Sequence, residues 1–351
     1  MPRGGAQFSS EELVRVLSHY DVGVVHRVKP LSAGNRRAPK VIVRADKGSF
    51  LLKRRPHGRD DMARIVFAHA VQKHLARQSF PVTTLLSVTH PSPARSGADN
   101  KTILTIENHI YELFNYVTGS RYDASPEATF EAGRQLALLH KALRDFSPEH
   151  ESLMENFHDS AIVRQHLSMI RRDHRAGPVR LMEAVSRSLV IRYDKSSERV
   201  NRLGFKTWKR QVVHGDWHPG NLLFVDRKIV GVVDFDSIRI APPVTDLANG
   251  MLQFSIIGDH PDPNLWPDHF DENRLMSFLN GYRGVTAVSK RQLNVLVDLM
   301  IETMIAEAVL PVAATGFFGH LTGLDFLRMI LRKTKWLRHH RAELTEAMLP
   351  H

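Results

Sequence analysis

Cysteine is absent from this chain of 351 residues, which excludes disulfides, thiolate metal sites, iron–sulfur clusters and cysteine nucleophiles. No apolar run reaches the ~18 residues of a membrane-spanning helix. The N-terminal MPRGGAQFSSEEL lacks the apolar stretch of a signal peptide. The expected location is therefore cytoplasmic, with no membrane partner. What remains, 42% hydrophobic and 24% charged residues, is ordinary for a globular chain. The length suits about two domains or one large one.

Charge is in excess on one side. Lys and Arg number 48 against 37 Asp and Glu, a net +11. Residues 158–210 hold 13 basic and 5 acidic side chains. Such a segment suits an anionic ligand or a solvated helical face. No nucleic-acid-binding signature accompanies it, so a nucleic-acid partner is not expected.

The first ~120 residues read as strand-rich. A helix is expected at EELVRVLSHY, capped by Ser9 or Ser10. VGVVHRV, KVIVRAD and SFLLKR read as strands, the last two joined at Asp46-Lys47-Gly48. Residues 60–78 suit an amphipathic helix with Met62, Ile65, Val66, His69, Ala70, Lys73 and Leu75 on its stripe. TILTIE and HIYELFNYV form a second hairpin around Asn108. From Gly119 the pattern turns helical, starting with Ser125 as cap and Pro126 at the first helical position. A strand–loop–strand unit interrupts from Val212 to Asp236, and a Pro/Asp-rich loop breaks the later helices at 259–272. The expected plan is α+β: a small antiparallel sheet lobe over residues 1–117 and a larger, mainly helical lobe over 118–351 with one inserted β-hairpin.

The chemistry concentrates in residues 212–248, VVHGDWHPGNLLFVDRKIVGVVDFDSIRIAPPVTDLA. Strands at Leu222–Val225 and Ile229–Val233 flank the turn Asp226-Arg227-Lys228. His214, Asp216 and Asn221 precede the first strand, and Asp234 and Asp236 end the second. A hairpin brings these ends together, so Asp216, Asn221 and Asp234 can converge. Their hard oxygen donors suit Mg²⁺, which takes few protein ligands and completes its shell with substrate phosphates.

These residues resemble the aminoglycoside phosphotransferase/choline kinase superfamily, the small-molecule relatives of protein kinases. HGDWHPGN (214–221) matches its catalytic loop and DFD (234–236) its metal-binding segment. Asp246-Leu247-Ala248 matches the aspartate that braces the loop. The resemblance implies a protein-kinase-like bilobal fold, ATP and Mg²⁺ as cofactors, and a small-molecule hydroxyl as acceptor. It makes Asp216 the catalytic base and Asn221 and Asp234 the metal ligands. Lys53 matches the lysine on the α/β-phosphates, and Gly34 and Asn35 fall in the phosphate-covering turn. YELFNYVTG (111–119) matches the hinge, where backbone at Asn115 and Val117 would meet adenine. Known acceptors of such enzymes include aminoglycosides, choline, ethanolamine, homoserine, methylthioribose, hydroxylysine and sugars.

One position departs from the pattern. Kinase-type lobes pair the strand lysine with a glutamate on the next helix, and here Ala68 stands where it is expected. Asp60 and Asp61, just before the helix, are candidate substitutes. The gap and the basic segment keep a non-catalytic scaffold of the same fold as an alternative. The alternation of His214, Asp216 and His218 keeps a metal-dependent hydrolase as another. For the acceptor, the loop 259–272 offers Asp259, Asp262, Asp268, Asp271 and Glu272 around Trp266, a setting that suits a cationic amine.

Overall fold

The computed structural model describes residues 7–31, 38–56, 58–89, 101–147, 156–173, 175–258 and 260–349. Helix α1 (Ser10–Leu17) starts at a capping box in which Ser9 and Glu12 satisfy each other's backbone N–H groups. Strands β1 (Val25–Pro30), β2 (Lys40–Ala45) and β3 (Gly48–Arg54) form an antiparallel meander. Helix α2 (Met62–Arg77) follows, capped by Asp61. Strands β4 (Leu104–Ile106) and β5 (His109–Asn115) turn at Glu107 and Asn108, both at positive φ as a tight two-residue hairpin requires. The sheet order is β1-β2-β3-β5-β4.

Side chains alternate across this sheet with a period of two. Val41, Val43, Phe50, Leu52, Tyr111 and Leu113 face α1 and close a small core with Val16 and Leu17. Ile42, Leu51, Lys53, Glu112 and Phe114 therefore share the opposite face. Helix α2 departs from the single apolar stripe expected of it. It buries Ile65, Phe67, Ala68, His69, Val71, Gln72 and Leu75. The reason is its place: Phe67, Ala68, Val71 and Leu75 join the core of the helical body, while His69 bonds into the sheet.

The helical body opens with α3 (Pro126–Ala142), α4 (Ala161–Ile170) and α5 (Val179–Arg202). Strands β6 (Gln211–Val213), β7 (Leu222–Val225), β8 (Lys228–Val232) and β9 (Arg239–Ala241) come next, as two pairs, β6 with β9 and β7 with β8. Then follow α6 (Val244–Ser255), α7 (Glu272–Arg283), α8 (Lys290–Leu293) and α9 (Leu296–Thr315). The short pair β10 (Phe317–Phe318) and β11 (Leu321–Thr322) leads to α10 (Gly323–His339) and α11 (Arg341–Met348). Helices α3 and α7 approach at glycine: a Cβ on Gly133 would stand 2.0 Å from the Phe278 carbonyl oxygen. Helix α9 is buried from Leu296 through Ile305 and forms the axis of the body. Among the described residues no helix is long and apolar enough to cross a membrane.

Candidate active site

The β6–β9 pair holds a loop, residues 214–221, beside the turn that follows β8. Gly215 sits at φ +77°, and a Cβ there would stand 2.3 Å from the Ser237 carbonyl oxygen, so only glycine fits the backbone approach. Asp246, buried in the first turn of α6, accepts the backbone N–H of His214 at 2.7 Å and of Gly215 at 2.9 Å. Behind it His140 donates to the same carboxylate at 3.3 Å and meets the Tyr282 hydroxyl at 2.8 Å. Burial opposes ionisation of Asp246, but His140 and these N–H groups outweigh it and hold the pKa below the ordinary value. The His214 ring lies between Trp217 and Phe235, with centroids at 5.4 and 5.0 Å. Burial lowers its pKa and keeps it neutral.

Asn221 is buried, and its amide nitrogen donates to the Asp216 backbone carbonyl at 2.9 Å and to Asp216 Oδ2 at 3.2 Å. The Asn221 backbone carbonyl accepts the Val233 N–H at 3.0 Å, which ties the loop to the end of β8. The next residue, Asp234, takes a left-handed conformation (φ 61°, ψ 66°). Aspartate tolerates that region better than most residues. Lys53 Nζ comes within 4.0 Å of Asp234 Oδ1 and 3.0 Å of Asp236 Oδ2. The structure thus brings Lys53 to Asp234 and Asn221 to Asp216, and the Val233 N–H bond to the Asn221 backbone carbonyl joins the two pairs. Among the described residues no three His, Asp or Glu side chains gather as a metal cage; His218 Nε2 lies 3.7 Å from Asp216 Oδ2.

On the Lys53 side of the sheet a cavity of about 200 Å³ is lined by Arg27, Lys29, Ile42, Arg44 and Tyr116. Asn115 ends β5; its N–H donates to the Thr84 carbonyl at 2.9 Å and its side-chain amide to the Thr84 hydroxyl at 2.5 Å. The Val117 side chain lies against the β7–β8 hairpin, within 3.2 Å of a Cβ built on Gly231. Gly34 and Asn35 lie outside the described residues.

A model of the phosphotransferase enzyme family matches residues 27–340. The chain belongs to that family. A homoserine kinase of Zymomonas mobilis is 25% identical over 232 residues, a match that spans 65% of this chain and 65% of that protein's length. Two solved structures share the fold. A microcompartment-associated aminopropanol kinase aligns with a TM-score of 0.70 at 13% identity, over 97% of this chain and 100% of its own. An amicoumacin kinase in complex with AMP-PNP and Ca²⁺ aligns with a TM-score of 0.66 at 14% identity, over 98% of this chain and 96% of its own.

Within this phosphotransferase-family fold, Ala68 is packed in the core. Neither proposed substitute fills the missing glutamate's place: Asp61 caps α2 and Asp60 accepts the Gly58 N–H. The sheet supplies the acid instead. Glu112, fully buried on β5, accepts from Arg55 at 2.8 Å and from His69 Nε2 at 2.6 Å. Arg55 also donates to Asp236 at 2.8 Å. Burial opposes both charges, yet Arg55 holds Glu112 far below the ordinary carboxylate range, and Glu112 holds Arg55 above the ordinary guanidinium value. For Lys53 too, burial works against the charge, and Asp236 and Glu112 outweigh it. Arg55, Glu112 and His69 were not singled out from the sequence as site residues. The available signal was an acid between Tyr111 and Leu113 in an apolar strand, where burial demands a partner such as Arg55.

Many of the side chains behind the two acceptor expectations have partners within the chain. Asp259 lies outside the described residues. Asp268 pairs with Arg332 at 2.8 Å, Asp262 caps the turn at Asn264, and Asp271 caps α7 and binds Arg274. Trp266 Nε1 donates to the His260 carbonyl. Asp262, Asp268 and Asp271 thus help to hold the loop. Much of the basic segment is committed as well: Arg164 to Asp159 and Asp194, Arg175 to Asp173, Arg187 to Glu183, Arg199 to Asp298.

Proposed function

We propose that the protein transfers the γ-phosphoryl group of ATP to a hydroxyl of a small molecule, an amino alcohol, amino acid, aminoglycoside or sugar. The observation that carries this reading is the pairing of Lys53 with Asp234 and of Asn221 with Asp216, joined by the Val233–Asn221 backbone bond. Residues up to 117 form the nucleotide lobe and residues from 118 the acceptor lobe. The cavity lined by Arg27, Lys29, Ile42, Arg44 and Tyr116 offers basic side chains to a polyanion and an apolar wall to a base. Asn115 and Val117 flank its Tyr116 in the chain, and Gly34 and Asn35 belong to the segment that would cover the phosphates.

Asn221 and Asp234 fit Mg²⁺. The Asn221 nitrogen is turned to Asp216, which leaves its amide oxygen for a cation, and amide and carboxylate oxygens are the donors Mg²⁺ prefers. When bound, the ion neutralises charge on the ATP phosphates. Lys53 holds the α/β-phosphates. Asp216, fixed by Asn221 and by the Asp246-braced backbone, accepts a hydrogen bond from the acceptor hydroxyl and aligns it for in-line attack. Its proton-accepting role is worth roughly 10²–10⁴-fold.

ATP consumption measured with Mg²⁺ against a panel of amino alcohols, amino acids and sugars tests this. Turnover of one acceptor, abolished in Asp216→Ala with the fold intact, is expected. Absence of Mg²⁺-dependent nucleotide binding in calorimetry would leave the non-catalytic scaffold as the better reading.

A further inference from the structure

We infer that a cavity behind the loop 214–221, between the end of α3 and the start of α6, binds a small carboxylate with a short apolar body, and that its occupant steadies the loop through His140 and Asp246. The cavity measures about 100 Å³ and is lined from α3, β6, α6, α7 and the segment before α8. One water needs roughly 10–15 Å³ of such space, so a molecule of about half a dozen non-hydrogen atoms fits. Lys53, Asp216, Asn221 and Asp234 are not among its lining residues, so it is separate from the proposed phosphoryl-transfer site.

The lining has two chemistries. Pro243, Val244, Leu247 and Val288 make an apolar wall. Arg144 brings a cation: its side chain is exposed, and among the described residues no acid pairs with it. Burial and Asp246 raise the pKa of the Tyr282 phenol, and the Arg144 charge opposes them, so the guanidinium is felt inside the cavity. Thr286 is the second polar group. Its hydroxyl oxygen is buried and has no hydrogen-bond partner among the described residues, although buried hydroxyls are ordinarily paired. An ionised carboxylate carries acceptors only, so it can accept from both the guanidinium and the hydroxyl while a short alkyl body covers the wall. Asp246, on the far side of His140, does not stand unmet against such an anion. Its charge is taken up by His140 and by the His214 and Gly215 N–H groups.

The same cavity borders both supports of the loop. His140 and Tyr282, joined at 2.8 Å, line it, and His140 continues to Asp246. Gln211 lines it too, donates to the His140 carbonyl at 2.7 Å, and begins β6, which runs directly into the loop. An occupant packed against these side chains restricts the Asp246 brace and β6 together.

Binding of butyrate to the full chain, followed by ligand-observed NMR, tests the site. Butyramide serves as the neutral counterpart and inorganic phosphate as an anion without an apolar body. Butyrate should bind with a Kd of about 1 mM, about tenfold more tightly than either. Arg144→Gln should weaken butyrate about tenfold and leave butyramide unchanged, and Thr286→Val should weaken butyrate about fivefold. Thermal unfolding confirms that each variant is folded. Butyrate should also slow hydrogen exchange at the His214 and Gly215 amides more than at the amides of β2, and should not do so in Arg144→Gln. Equal binding of butyrate and butyramide, tighter binding of phosphate, or undiminished butyrate binding in Arg144→Gln overturns the carboxylate site. So does a lack of saturable butyrate binding up to roughly 100 mM, a hundredfold above the expected Kd. Unchanged exchange at His214 and Gly215 under saturating butyrate overturns the link to the loop. Each of these readouts is independent of ATP turnover, so failure here and failure of the phosphotransfer reading are distinguishable.

Discussion

Lys53 and Glu112 stand opposite each other in the β3–β5 ladder, yet each takes its closest partner elsewhere. The lysine goes to Asp236 at 3.0 Å and the glutamate to Arg55 and His69. Arg55 closes the chain by bonding both acids, Glu112 and Asp236, at 2.8 Å. Kinase-type lobes set the strand lysine with a glutamate from the helix. Here α2 contributes His69, which reaches the lysine's surroundings through the strand glutamate. The position of α2 is thereby linked to the turn that carries Asp234 and Asp236.

Removing the acid of this chain should be costly. Glu112→Gln leaves Arg55 buried against a neutral amide, and breaking a buried pair costs about 3–5 kcal/mol. Urea unfolding at pH 7 reads the change. A loss below about 1 kcal/mol would show that the pair does not hold the lobe together.

Supplying the glutamate that sequence comparison with kinases would ask for should not help. Ala68 is 3% exposed among Phe67, Val71 and other core side chains. Ala68→Glu puts a carboxylate where it has no partner, at a cost of several kcal/mol. Reduced expression and a lower thermal midpoint are expected; an unchanged midpoint with better ATP use would mean that this helix face opens to the cleft.

Asp246 acts on the loop and not on the substrate. Asp246→Ala removes the acceptor for the His214 and Gly215 N–H groups. It should lower kcat about 10²-fold through misplacement of Asp216, with nucleotide affinity changed far less. Equal losses in kcat and in nucleotide binding would point to general unfolding of the helical lobe.

Lys333 sets a pH dependence of stability. Its ammonium is buried, donates to the carbonyls of Ile257 and Pro267, and lies 4.8 Å from the Phe270 ring. Burial pushes its pKa down from 10.5 to about 8, against the pull of Asp268. Between those values the unfolded state binds more protons than the folded one, so stability rises with pH across the window, by up to about 3 kcal/mol. Urea midpoints at pH 8 and pH 10 should show this rise in the wild type and a flatter response in Lys333→Met. Parallel profiles in the two proteins would remove Lys333 as its source.

The sequence alone made the strands, their hairpins and the loop 214–221 legible, because these depend on local pattern. Alternation sorted β2, β3 and β5 into faces, the positive-φ turn at Glu107 and Asn108 fell around the expected asparagine, and residues 212–248 concentrate loop, hairpin and bracing Asp246 in one stretch. The stripe on α2 was misjudged because a helix wedged between two bodies buries more than one face, and periodicity reads only one. What the tertiary structure decided was the pairing of charges. Arg55 meets Asp236 across 181 positions, Lys53 meets the same aspartate across 183, and Asn249 meets Glu307 across 58. No local spacing encodes those meetings. They follow from how the sheet, α2, α6 and α9 pack, since a buried charge must find whichever counter-charge the packing brings within reach.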